Sequence, residues 1–142
     1  MALFALDTSC MIAAVCEWHE HHAAAVAEIE RRLSRGRPLV PAPALVEAFA
    51  VLTRLPAPHR LSPSDAWTLL KTNFVTRART ATLTSAAYRR LLARLANENI
   101  GGGRVYDAVI ADCARRAGVG VLLTFNRKHF EPAPEGLAIV EP

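Results

Sequence analysis

Short apolar runs alternate with longer stretches of helical spacing along this chain, and the alternation predicts strands followed by helices. Residues 2 to 6 form an apolar run closed by Asp7, with Thr8 or Ser9 placed to cap a helix beginning near Cys10-Met11-Ile12. From His21 to Leu33 the apolar positions Ala25, Val26, Ile29 and Leu33 share a helical face, and Gly36 ends the segment. Leu39-Val40 reads as a short strand. Pro43 suits the first turn of a helix whose body, Ala44 to Leu55, stops at Pro56 and Pro58. Ser62-Pro63-Ser64-Asp65 opens a further helix to about Phe74, with Trp67, Leu70 and Phe74 at helical spacing. The threonine-rich alternation from Arg77 to Leu83 predicts a strand, and helices follow over about Ser85 to Asn97 and Arg104 to Ala117, the second ended by Gly118. Val121 to Thr124 is a continuous apolar strand, and Leu137 to Val140 predicts a last one.

Strands alternating with helices imply an α/β fold with a mostly parallel sheet covered on both faces. A chain of 142 residues fits a single domain over residues 1–142 with a core of its own. In such sheets ligands bind beyond the carboxyl ends of the strands. Asp7 follows the first strand there, and Asn126 follows the strand Val121 to Thr124 in the same way.

Hydrophobic residues make up 51% of the chain, yet no run reaches the 18 or so apolar residues of a membrane span. The opening Met1 to Asp7 meets an acid too early for a signal peptide, so a cytoplasmic location is expected. Cys10, Cys16 and Cys113 follow no CxxC spacing and read as core fillers in a reducing compartment. Cations exceed acids by 17 to 13, and 15 of the cations are arginines, whose planar fork suits phosphates and stacked bases. Nucleic acid becomes a candidate partner, although a GC-rich coding bias also enriches arginine.

Three acids stand in apolar company: Asp7, Glu47 and Asp107. Burying carboxylates near one another is costly unless a positive group lies between them, and a divalent metal is one such group. Each also has a plainer reading. Asp7 suits a helix cap, Asp107 suits the first turn of its helix, and Glu47 could be an isolated surface glutamate. At ~100° per residue, Asp107 borders the face built by Tyr106, Ile110, Cys113 and Ala117, whereas Asp112 falls beside Arg115 and Arg116 as a solvated structural pair. Arg54 lies two turns beyond Glu47 on the same face, within reach of a phosphate.

The cluster Cys16, His19, His21 and His22 lacks a second ligand cluster at zinc spacing and reads as a polar helix start. Gly101-Gly102-Gly103 has neither a P-loop lysine nor a preceding strand, and reads as a flexible loop. No GxSxG occurs, and no cysteine has an evident activating base. An aspartyl phosphotransfer site in a DxD arrangement would need an acid where Ser9 stands.

Four segments, in this order and spacing, resemble a known family: Leu6-Asp7-Thr8-Ser9, Glu47-Ala48-Phe49-Ala50-Val51-Leu52-Thr53-Arg54, Tyr106-Asp107-Ala108-Val109-Ile110-Ala111, and Leu122-Leu123-Thr124-Phe125-Asn126-Arg127-Lys128-His129-Phe130. The chain resembles PIN domains over nearly its whole length and, among them, VapC-type toxin ribonucleases of bacterial toxin–antitoxin pairs. The resemblance implies a three-layer α/β/α sandwich whose carboxylates converge on Mg²⁺ or Mn²⁺ and hydrolyse RNA phosphodiester bonds. It implies Asp7 and Asp107 as metal ligands, with Glu47 as a third, direct or through water. Thr8, Ser9, Arg54, Thr124, Asn126 and Arg127 become candidates for substrate contact, and His129 for proton donation. Implied partners are RNA, a small VapB-type antitoxin and a second copy in a homodimer, with no membrane. Many PIN domains carry a fourth acid where this chain has Asn126, so one bound metal is the expected resting state. That departure also supports an alternative, a PIN-like module that binds RNA or protein without cleaving.

Overall fold

The computed structural model describes residues 4–142. Residues 2 and 3 of the first predicted strand, and the start of the segment weighed as a leader, lie outside the described residues. Five parallel strands, β1 (Phe4–Leu6), β2 (Pro38–Pro41), β3 (Arg79–Ala81), β4 (Val121–Leu123) and β5 (Ala138–Val140), form one sheet in the order β3-β2-β1-β4-β5. Six helices flank it: α1 (Thr8–Val15), α2 (His22–Leu33), α3 (Ala42–Arg54), α4 (Pro63–Leu70), α5 (Ser85–Asn97) and α6 (Arg104–Arg116). The expected α/β sandwich is the observed fold.

β1 is central and apolar throughout, as a strand covered on both faces must be. The chain adds β2 and β3 on one side of β1, then returns to add β4 and β5 on the other. The strand order therefore reverses between β1 and β4, which opens a crevice at their carboxyl ends. Asp7 and Thr124, the residues immediately after these strands, stand at that crevice. The pairing Leu6 with Leu123 and the bond from Asp7 N–H to the Leu123 carbonyl, at 3.1 Å, hold the two strand ends level.

The main core gathers Phe4, Leu6, Met11, Leu39, Leu52, Leu70, Ile110, Leu122 and Leu123 around the sheet, while Leu83, Leu91, Leu95, Val109 and Cys113 make a smaller cluster between α5 and α6. All three cysteines are free and buried, as core fillers should be. Gly118, at φ 79°, closes α6 in a Schellman motif: Val119 N–H donates to the Ala114 carbonyl at 3.0 Å and Gly118 N–H to that of Arg115 at 3.0 Å.

Several sequence expectations need correction. The predicted strand over Arg77 to Leu83 contracts to three residues at the sheet edge, where a half-exposed strand has little to bury. The helix expected to reach Phe74 is α-helical only to Leu70 and continues as a π-type turn over Lys71–Val75. Trp67, placed on the apolar face by spacing, is 45% exposed. Tyr106 is 68% exposed, so the buried face of α6 is rotated from the expected one and centres on Val109, Ile110, Cys113 and Ala114.

That rotation buries Asp112, expected to be solvated. It accepts from Arg115 Nη2 at 2.7 Å and Arg116 Nε at 2.8 Å. Burial opposes its ionisation, but the hydrogen bonds from Arg116 and Arg115 outweigh burial and hold its pKa below the ordinary carboxylate value. Its stabilising contribution is therefore present above the unfolded-state pKa and is lost as pH falls through the lower folded value. Asp112→Asn should lower stability at neutral pH by about 1–3 kcal/mol, a deficit that shrinks in acid and that urea unfolding at neutral and acidic pH would measure.

Candidate metal-binding active site

Asp7 leaves β1 in extended conformation and caps α1 itself, the plainer of its two expected roles, in place of Thr8 or Ser9. Its side chain is short enough to turn back onto the Cys10 N–H, which it meets through Oδ1 at 3.0 Å. Two hydroxyls, those of Ser9 and Thr124, hold its carboxylate. Ser9 Oγ donates to Asp7 Oδ1 at 2.7 Å, and Thr124 Oγ1 donates to Oδ2 at 2.6 Å. Each hydroxyl in turn accepts a backbone N–H from the segment after β4, Ser9 from Phe125 and Thr124 from Asn126, both at 2.9 Å. Both strand ends thus orient one buried carboxylate.

Thr8 Oγ1 lies 3.2 Å from Glu47 Oε2 and 3.3 Å from the Ala44 carbonyl, which ties α1 to α3 and points Glu47 towards Asp7. α3 starts directly from β2, with Pro43 in its first turn as expected, so the sheet fixes the height of Glu47. Asp107 comes from the first turn of α6, where the helix dipole favours an acid. Its Oδ2 lies 3.6 Å from His129 Nδ1 on the short 3₁₀ turn Arg127–Phe130.

Asp7, Glu47 and Asp107 line one cavity of about 370 Å³, together with Thr8, Ser9, Ile12, Val51, Ile110, Phe125, Asn126 and the segment His19 to His21. Burial raises the pKa of Asp7 against the lowering effect of its hydrogen bonds from Thr124, Ser9 and Cys10, and the nearby Glu47 charge raises it further. Burial also raises that of Asp107, against the lowering effect of His129 and Arg104, with the Glu47 and Asp7 charges adding to the rise. No lysine or arginine among the described residues lines the cavity to offset its acids.

Among the described residues, no three His, Cys, Asp or Glu side chains converge tightly enough to enclose a metal ion unaided. That holds for the acid trio and for the cluster of Cys16, His19, His21 and His22. A hard cation such as Mg²⁺ does not require enclosure, because it keeps several waters and takes only one or two carboxylates. The donor set suits this mode. Asp7 Oδ1 receives two hydrogen bonds and Oδ2 one, so of the roughly four lone-pair positions on a carboxylate one remains for an ion.

The other predicted site residues divide. Thr8, Ser9 and Asn126 line the cavity, whereas Thr124 is fully buried behind Asp7 and does not line it. Arg54 and Arg127 are exposed and do not line it, and Arg127 faces Glu131 at 3.9 Å. Sequence reasoning missed His19, His21 and Phe125 as parts of this wall. The Phe125 ring stacks on His21 at 4.4 Å with 8° between planes, a contact between residues too distant in sequence for periodicity to reveal.

The fold and this acid-lined crevice define a class, and the comparisons with known proteins agree. The PIN domain family model matches residues 4–134. Ribonuclease VapC40 of Mycobacterium tuberculosis is 40% identical over 120 residues, which is 84% of each chain. The DNA-bound VapBC of Salmonella typhimurium superposes with a TM-score of 0.69 at 25% identity, covering 99% of this chain and 98% of that one. VapBC2 of Rickettsia felis, bound to a fragment of its promoter, gives a TM-score of 0.72 at 16% identity with the same coverage. This chain belongs to the PIN-domain family.

Proposed function

We propose that this protein is a divalent-metal-dependent endoribonuclease, the toxin of a toxin–antitoxin pair, which acts in the cytoplasm and is neutralised by a small VapB-type antitoxin. The observation that carries this reading is the convergence of Asp7, Glu47 and Asp107 on one charge-deficient cavity, in a chain 40% identical to a protein named Ribonuclease VapC40. The VapBC assemblies of Salmonella typhimurium and Rickettsia felis support the antitoxin as partner. No helix among the described residues is long and apolar enough to cross a membrane.

In this reading Asp7 and Asp107 hold one Mg²⁺ or Mn²⁺. The ion, when bound, supplies Lewis-acid charge for the phosphate and lowers the pKa of a water. Glu47, aimed into the cavity by Thr8, orients the attacking water and accepts its proton. Ser9 and Thr124 fix the Asp7 carboxylate so that its free lone pair faces the crevice. Asn126 supplies a neutral amide where an acid would add charge, which favours a single ion and leaves the phosphate less repelled. The exposed Arg54 and Arg127 contact phosphates further along the strand and steer RNA to the site.

Incubating the protein with total RNA in Mg²⁺, in Mn²⁺ and in excess chelator tests the reading. Cleavage is expected in either metal and should disappear on chelation. RNA binding without cleavage under every condition would replace the nuclease by the binding module that Asn126 otherwise suggests.

A further inference from the structure

Beside the acids lies a chain of five rings that the proposed chemistry does not use. His59 stacks on Trp18, with ring centroids 4.1 Å apart and 24° between planes. Trp18 is followed by His19 at 5.9 Å, His19 by His21 at 5.7 Å, and His21 by Phe125 at 4.4 Å. Three of the five histidines in the chain are members, and the two stacked pairs, Trp18 with His59 and His21 with Phe125, join residues far apart in sequence. Its inner end is tied to the active site, because Phe125 N–H donates to the same Ser9 Oγ that donates to Asp7. Its outer end is open: Trp18 is 49% exposed and His59 is exposed.

We propose that this arc is a stacking platform for unpaired RNA bases next to the cleaved phosphate, with Trp18 and His59 as the outer contact and the His21–Phe125 pair at the cavity wall. The inference rests on the nuclease reading of the cavity and deepens it. An aromatic face accepts any base, and single-stranded RNA exposes bases that a duplex hides. The turn holding the rings is braced rather than loose. His21 N–H donates to His19 Nδ1 at 3.0 Å, and His22 Nδ1 donates to the Ala13 carbonyl at 2.9 Å. Burial, with repulsion from His21, lowers the pKa of His19, which keeps that ring neutral near pH 7. Exposed Arg54 and Arg60 flank the outer end in sequence and supply charge for the backbone that stacked bases carry with them.

The test reads Trp18 fluorescence in a Trp67→Phe background, which removes the only other tryptophan. A short oligoadenylate is titrated in chelator, where no cleavage occurs, and compared with an abasic oligomer of equal length. Oligoadenylate should quench Trp18 and the abasic oligomer should not. Trp18→Ala should weaken oligoadenylate binding by about 10-fold or more, and Trp18→Phe should restore most of it. With metal present, Trp18→Ala should raise KM at nearly unchanged kcat. Equal binding of both oligomers, or native affinity and KM in Trp18→Ala, would overturn the platform while leaving the nuclease intact. Base-dependent quenching in a protein that cleaves no RNA would retain the platform and remove the nuclease.

Discussion

Asp7→Asn is expected to reduce RNA cleavage by about 10³-fold or more, since Lewis-acid stabilisation contributes several kcal/mol and each 1.36 kcal/mol is tenfold in rate. The substitution is nearly isosteric. An asparagine oxygen can still accept from Cys10 N–H, and its amide can donate to Thr124 Oγ1, so the cap on α1 and the link to β4 survive. What disappears is the negative charge that an ion would bind. A loss of activity in a protein with native unfolding behaviour would therefore report on chemistry. Activity within a few-fold of native would refute the role given to Asp7.

The second large effect concerns stability. Asp7 and Asp107 both have pKa values raised by burial, with neighbouring carboxylates adding to the shift. A raised folded-state pKa contributes stability that is fully present below the unfolded value, near 3.9 for aspartate, and is lost as pH rises through the folded value. In the metal-free protein these two groups therefore oppose folding at neutral pH. A bound cation reverses that cost, and protons compete with it at lower pH. Mn²⁺ at about a hundred times its Kd should stabilise by about 2.7 kcal/mol, a rise in Tm on the order of 10 °C for a chain of this size. The rise should be larger at pH 7.5 than at pH 5. It should vanish in Asp107→Asn, whose metal-free form should melt above the metal-free native protein at neutral pH. Differential scanning fluorimetry across pH and metal concentration reads all of these, and a Tm shift unchanged in Asp107→Asn would contradict the site.

Much of this was legible in the sequence because the signals were local. Asp7 after an apolar run, Glu47 alone on an apolar helix and Asp107 in a first turn each mark a strand end or a helix face, and the parallel topology brings them together. The sequence left Asp7, Thr8 and Ser9 all open as caps on α1, and only the packing of β4 decides that Asp7 takes the role, held by the hydroxyls of Ser9 and Thr124, while Thr8 turns to Glu47. The face of α6 was misjudged because Tyr106 and Asp112 have properties that oppose their places. Tyr106 is apolar yet open, while Asp112 is charged yet buried between two arginines. The ring arc was invisible for another reason. Trp18 meets His59, and His21 meets Phe125, only after α1, α3 and β4 have packed.

The central claim is that Asp7 and Asp107 hold a catalytic divalent cation beside Glu47. Anomalous diffraction from crystals soaked in Mn²⁺ tests it most directly. The account predicts one strong peak in the crevice between β1 and β4, within coordination distance of the Asp7 and Asp107 carboxylates and reached by Glu47 directly or through water. A crevice without a peak at saturating Mn²⁺, or an ion held instead by the histidines near Trp18, would contradict it.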